Sequence, residues 1–176
     1  MNDVIYWFRN DLRITDNPAF AQTYEQYDKV LAVYVHDPKH SAETDWGFER
    51  MGAHRKAFLA ERLQDLALQL KAIGVDLTHL HGSPTEALSA FCDSAQTKQI
   101  YCEDIAAPEE QAQIDSLQTA GLKVKTLWQS SLLEPADLPF DVQNLPAVFT
   151  AFRNKVEKQD IKPRPVLKIS EKLPES

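Results

Sequence analysis

A chain of 176 residues with 43% apolar and 26% charged side chains has the make-up of one globular domain plus a tail, and is too short for two domains of comfortable size. Its net charge of −7 repels a polyanion unless basic groups gather on one face, and no apolar run approaches the roughly 20 residues of a membrane-spanning helix. No basic leader with a cleavage pattern precedes the first apolar run, which leads to the expectation of a cytoplasmic protein; Cys92 and Cys102, in neither a CxxC nor a metal-ligand spacing, suit free thiols in a reducing compartment.

Val4 to Phe8 is a short apolar run of a buried strand, and it is followed at once by Arg9, Asp11, Arg13 and Asp16. Asn17 and Pro18 then open a helix, because an Asn side chain accepts from orphan amide protons and Pro fits the first helical position. Lys29 to His36 is a β-branched run without helical period, a second buried strand, and it ends at Asp37 and Pro38. From Phe48 to Ile73 the residues Phe58, Leu59, Leu63, Leu66, Leu70 and Ile73 recur at three and four residue steps, which predicts a long amphipathic helix closed by Gly74. Gly74 to Leu80 is the third strand. Ser83 and Pro84 repeat the capping device for a helix to about Ala95. Lys98 to Cys102 is the fourth strand, tipped by Glu103 and Asp104. Pro108 starts a further helix with Glu109 and Glu110 in its first turn, where the macrodipole favours acids, and Gly121 to Leu127 is the fifth strand. Trp7, Trp46 and Trp128 read as core residues, and His54 as a surface or interface residue of the long helix.

Past Leu127 the alternation stops. Leu132 to Leu145, with Pro135 and Pro139, reads as a surface connection; Pro146 to Gln159 recovers helical character; Pro163, Pro165 and Pro174 break up a basic end. Between Arg153 and Lys172 seven basic residues face three acidic ones, a local +4 that leaves −11 on the remainder. The expected fold is α/β: a five-stranded doubly wound parallel sheet, Rossmann-like, with helices on both faces and right-handed crossovers over residues 1–130, then an irregular linker and a short helix over 131–176.

In such a sheet ligands bind outside the carboxyl ends of the strands. The charged tips are therefore the candidate site: Arg9, Asp11 and Arg13 after the first strand, Asp37 after the second, Glu103 and Asp104 after the fourth, with Glu109 beside them. They are expected to lie along one edge and to share a shallow groove. The chain has only five glycines and lacks GxGxxG, GxxxxGK[ST], a serine elbow and HExxH, so no catalytic residue and no metal ligand is assigned. His81 to Pro84 reads either as a plain helix cap or as an anion-binding helix start.

The stretches "IYWFRNDLRITDNPAF", "WGFERMGAHRKAFLAERLQDLALQLKAIGVDL", "HGSPTEAL" and "LPFDVQNLPAVFTAFRNKVE" resemble the photolyase and cryptochrome family, and most closely its DASH-type cryptochromes. The resemblance covers nearly the whole chain in the right order. It implies an N-terminal α/β domain that holds a light-harvesting antenna chromophore, a reduced folate (methenyltetrahydrofolate), and that packs against a large helical domain. FAD, DNA binding and blue-light photochemistry would belong to that helical domain, so this chain alone is expected to be inactive, with self-association through the exposed interdomain face as a further expectation. A pterin offers an adjacent NH and NH2 to a carboxylate, for which Glu103, Asp104 and Glu109 are candidates; Ile105 stands where many DASH-type members carry a glutamate. The "RNDLR" turn reads as antenna contact, as an ionic latch onto the next helix or as a contact with the helical domain. Two further readings compete with the antenna: a stand-alone nucleotide-binding domain and a protein-interaction module.

Overall fold

In a computed structural model of the chain, which describes residues 3–167 and 169, the five strands form one all-parallel sheet. They are β1 (Asp3–Phe8), β2 (Lys29–His36), β3 (Leu77–His81), β4 (Gln99–Asp104) and β5 (Lys123–Trp128), in the spatial order β3-β2-β1-β4-β5. The crossovers are α1 (Pro18–Gln26), α2 (Ala53–Ala72), α3 (Pro84–Ser94) and α4 (Pro108–Thr119), and α5 (Phe149–Lys158) follows the sheet. Strand order reverses between β1 and β4, which opens the crevice where such sheets take ligands. Lys168, Lys172 and Pro174 of the basic end lie outside the described residues.

Alternation along the strands sorts the core into two layers. Tyr6, Phe8, Tyr34 and Tyr101 point toward α1 and α2, where they meet Phe20, Tyr24, Leu63, Leu66 and Leu70. Trp7, Val33, Val35, Ile100 and Cys102 point the other way, toward Leu88, Cys92, Ile114 and Leu117 of α3 and α4. Burial pushes the Cys102 thiol up to about 12 and the Cys92 thiol up to about 11, so both behave as small apolar core residues.

The capping signals hold residue by residue. The Asn17 side chain accepts the Phe20 N–H at 3.0 Å ahead of Pro18, and Ser83 caps α3 while donating to Glu86 Oε2 at 2.8 Å. Gly74, at φ +77°, ends α2 in a left-handed turn in which the Val75 N–H reaches back to Leu70 O at 3.0 Å, the pairing of a Schellman motif.

Several expectations change. The long helix begins at Ala53 rather than Phe48, because Ala42 to Arg50 pair into a small hairpin. Phe58 is 63% exposed: it and Leu59 are adjacent and so lie about 100° apart on the helix, and the sheet covers Leu59. Trp46 is 80% exposed at the hairpin tip and Trp128 is half-buried at the end of edge strand β5, so among the tryptophans only Trp7 is core.

Beyond β5 the chain runs through short 3-10 turns at Pro135–Asp137 and Val142–Asn144 before α5. It then returns to the sheet edge, where Arg164 donates to Asp16 Oδ1 at 2.7 Å and Glu134 Oε1 at 3.0 Å, and the Asp16 N–H meets Leu167 O at 2.9 Å.

Candidate ligand site at the carboxyl edge

All seven predicted site residues lie at the carboxyl edge or in the first turn beside it, but strand alternation sends them to opposite sides of the sheet. The α1 side takes Asp11, Arg13 and Glu103. Asp11 is 1% exposed and fully engaged: it accepts from the Tyr6 hydroxyl at 2.6 Å, the Asn17 amide at 3.0 Å, the Gln129 amide at 2.8 Å and the Arg9 backbone N–H at 3.0 Å. Burial and the Asp11 charge raise the Tyr6 phenol well above its ordinary value, so Tyr6 is held as a donor. Arg13 donates to Asp16 O at 3.2 Å. Glu103 is 4% exposed; Ser130 donates to its Oε1 at 2.8 Å and its Oε2 has no partner. Burial, with the neighbouring Asp11 charge second, raises the pKa of Glu103. Because Cys102 points into the α3 and α4 layer, Glu103 must point away from it, and for that reason the three tips do not meet in one groove.

The α3 and α4 side takes Arg9, Asp37, Asp104 and Glu109. The Arg9 guanidinium lies 4.7 Å from the Trp7 ring centroid and donates to Glu110 O at 3.2 Å and Gln113 Oε1 at 2.8 Å, pinning the start of α4 to the β1 tip. Asp104 accepts from Gln111 at 2.9 Å, also on α4. Asp37 caps the 3-10 turn Pro38–Ser41 through the Lys39 N–H at 2.9 Å. Arg9, Asp37 and Ile105 line a small groove of about 50 Å³.

Next to that groove opens a cavity of about 450 Å³, within the range of small-molecule sites. Asp37, Lys39 and His40 form one wall, Arg50 and Arg55 another, and Glu109 with Ser83 and Thr85 a third. Arg50 donates to both carboxylate oxygens of Glu109, to Oε1 at 2.6 Å, and holds that carboxyl below its usual range. The lining has hydrogen-bonding groups and charges of both signs, suited to the amide-like edge and carboxylates of a polar heterocycle. Sequence reading singled out Asp37 and Glu109 here and missed Lys39 and His40, which lie in a stretch without periodic signal, and Arg50 and Arg55, which lie within the stretch read as the long helix. The one local sign of Lys39 and His40 was "DPKH", a turn that carries two polar side chains straight off a strand tip.

The sheet order defines a doubly wound α/β domain, with a cavity at the carboxyl edge where such sheets take ligands. The family model for DNA photolyase matches residues 4–170, and the chain belongs to that family. Among its relatives, a cryptochrome DASH of Synechocystis sp. is 35% identical over 166 residues, 92% of this chain and 34% of the relative. A chloroplastic/mitochondrial cryptochrome DASH of Oryza sativa subsp. japonica is 35% identical over 176 residues, 88% of this chain and 30% of the relative. The crystal structure of a Synechocystis sp. PCC6803 cryptochrome superposes with a TM-score of 0.88 at 34% identity, over 97% of this chain and 36% of that one. An archaeal photolyase from Sulfolobus tokodaii, solved with two FAD molecules, shares the fold at a TM-score of 0.78 and 22% identity, over 96% of this chain and 37% of that one. The chain spans about a third of the length of the curated relatives it matches. Among the described residues no helix is long and apolar enough to cross a membrane, and no three His, Cys, Asp or Glu side chains are placed to hold a metal ion.

Proposed function

We propose that this chain is the antenna-chromophore-binding part of a DASH-type cryptochrome or photolyase, residues 1–130 forming the domain and 131–176 the connection toward a helical FAD-binding domain. The protein so assembled uses blue light, with FAD and DNA contacted by the helical domain. The antenna is a reduced folate, methenyltetrahydrofolate, seated in the cavity between α2, α3 and α4. One observation carries the reading: a cavity of about 450 Å³ opens at the carboxyl edge, beside the strand-order reversal, with Asp37 and Glu109 in its walls.

Within this proposal Glu109 takes the pterin NH and NH2 in the position left without a carboxylate by Ile105, after exchanging its present partner Arg50. Asp37 and Arg9 shape the adjoining wall. Asp11, Arg13, Glu103 and Asp104 act on the ligand through the turns that they hold. Titrating the purified chain with methenyltetrahydrofolate, followed by its long-wavelength absorption and by thermal shift, tests this directly. A 1:1 complex is expected, with about 2.7 kcal/mol of added stability at 100 times the dissociation constant. Stabilisation by ATP with none by folate would instead identify a nucleotide-binding domain.

A further inference from the structure

Residues 42–50 form a short β-hairpin at the rim of the cavity. Glu43 and Glu49 face each other across it. The Arg50 N–H donates to Ala42 O at 3.1 Å and the Thr44 N–H to Phe48 O at 2.8 Å; Gly47, at φ +78°, closes the tip with its N–H on Thr44 O at 3.0 Å. This ordered turn carries Trp46, 80% exposed, and Phe48, 60% exposed. Two aromatic rings held out in water by defined backbone forgo the burial such rings normally find.

The hairpin is fastened by charge more than by packing. Arg50 at its base pairs with Glu109 of α4, both of them lining the cavity, and Glu49 pairs with Lys56 of α2 at 2.6 Å. Both pairs are exposed, so they contribute little and break readily, and the facing glutamates weaken the hairpin further. Met51, 7% exposed, follows directly and anchors the base.

Both ends of the hairpin emerge from the cavity wall, since Lys39 and His40 shortly precede it and Arg50 and Met51 end it. Four residue steps lead from Arg50 to Trp46, a reach of at most about 13 Å. That exceeds the width of a cavity of about 450 Å³, roughly 10 Å across if it is taken as round, the scale of ligand clefts in general. The tip can therefore lie over the opening.

We propose that residues 42–50 are a flap over the cavity, held open by the Arg50–Glu109 ion pair, and that its closure lays the Trp46 ring on a planar ligand. The inference rests on the reading of this cavity as the ligand site. It assigns Trp46 a role in covering the ligand and makes Glu109 a shared partner, of Arg50 while the flap is open and of the ligand once it closes.

Spin labels at Asp45→Cys and Asp115→Cys test it in the full chain. Both positions are exposed, and the native thiols Cys92 and Cys102 are buried. The free protein should show one dominant long separation and a minor short one. Arg50→Gln and Glu109→Gln should each raise the short population by up to about fivefold, the most that an exposed ion pair carries. Added methenyltetrahydrofolate should make the short separation dominant in the otherwise native chain, and Trp46→Ala should abolish that shift. An unchanged separation in both latch variants overturns the flap whether or not folate binds. A latch response without any folate effect supports the flap and sinks the folate reading instead. A folate-driven shift that survives Trp46→Ala overturns the role of Trp46.

Discussion

The two sides of the carboxyl edge contrast in how their charges are used. On the α1 side, Asp11 sits at the centre of a buried network in which Tyr6, Asn17, Gln129 and the Arg9 N–H all donate to it. On the α3 and α4 side, Arg50 and Glu109 form an exposed pair across a cavity, with Lys39 and His40 beside them. Saturated groups have no hydrogen-bonding capacity left for a ligand, whereas exposed pairs exchange partners at little cost. One side thus serves as framework, while the other keeps groups free to exchange partners, as the proposed ligand site requires, although both carry the same residue types.

The largest effect expected from breaking this contrast is at Asp11. Asp11→Ala leaves several buried donors unpaired at once and should cost on the order of 3–5 kcal/mol in urea unfolding. A loss below about 1 kcal/mol, the worth of an ordinary exposed pair, would place Asp11 in the same class as the cavity rim. Asn17→Ala removes the α1 cap and should cost about 1–2 kcal/mol by the same measurement.

Glu103 gives a smaller effect of opposite sign. Its folded pKa is raised by burial and by Asp11, so the folded state holds the proton more tightly than the unfolded chain does. Its contribution is therefore most favourable below the unfolded pKa and is lost as pH rises through the folded value. Glu103→Gln should stabilise the protein at neutral pH and flatten that part of the stability profile; equal slopes in variant and native protein would mean that Glu103 is not held in a desolvated site.

His36 runs the other way. Burial, with His79 and His81 stacked nearby, lowers its pKa, so the stability it contributes is present above the unfolded value and is lost as pH falls through the folded one. His36→Gln should weaken the acid-side loss in pH-dependent thermal unfolding. At the small end of the range, Glu109→Gln should leave the unfolding midpoint unchanged, since the pair it breaks is exposed on both sides; a clear drop would make the Arg50 pair structural.

The fold was legible because its signals are local. Asn17 with Pro18, Ser83 with Pro84 and Gly74 each act within a single turn, and their positions in the structure match residue by residue. Strand tips were legible to within a few residues: β3 starts at Leu77 rather than Gly74, because the residues after Gly74 complete the helix cap before pairing begins. Phe58 and Trp46 were misread because apolar character does not say which neighbour is present to cover a side chain.

The site was legible in part. A parallel sheet forces its tips to one edge, so the placement of the candidate residues there followed from the strand pattern alone. Glu103 was grouped with Arg9 and Asp37 because tip residues look equivalent in sequence, whereas the pleat separates them by face. The cavity rim escaped because its defining contact joins Arg50 to Glu109, 59 residues apart, and no local pattern encodes such a pairing.

Blocking the cavity tests the central claim most directly. Ala112 lines it from the exposed surface of α4, so Ala112→Trp should fill the space while leaving the unfolding midpoint in place. In a methenyltetrahydrofolate titration followed by absorption, the native chain should bind one equivalent and Ala112→Trp none. Equal binding by both proteins would contradict the assignment of the cavity as the antenna site.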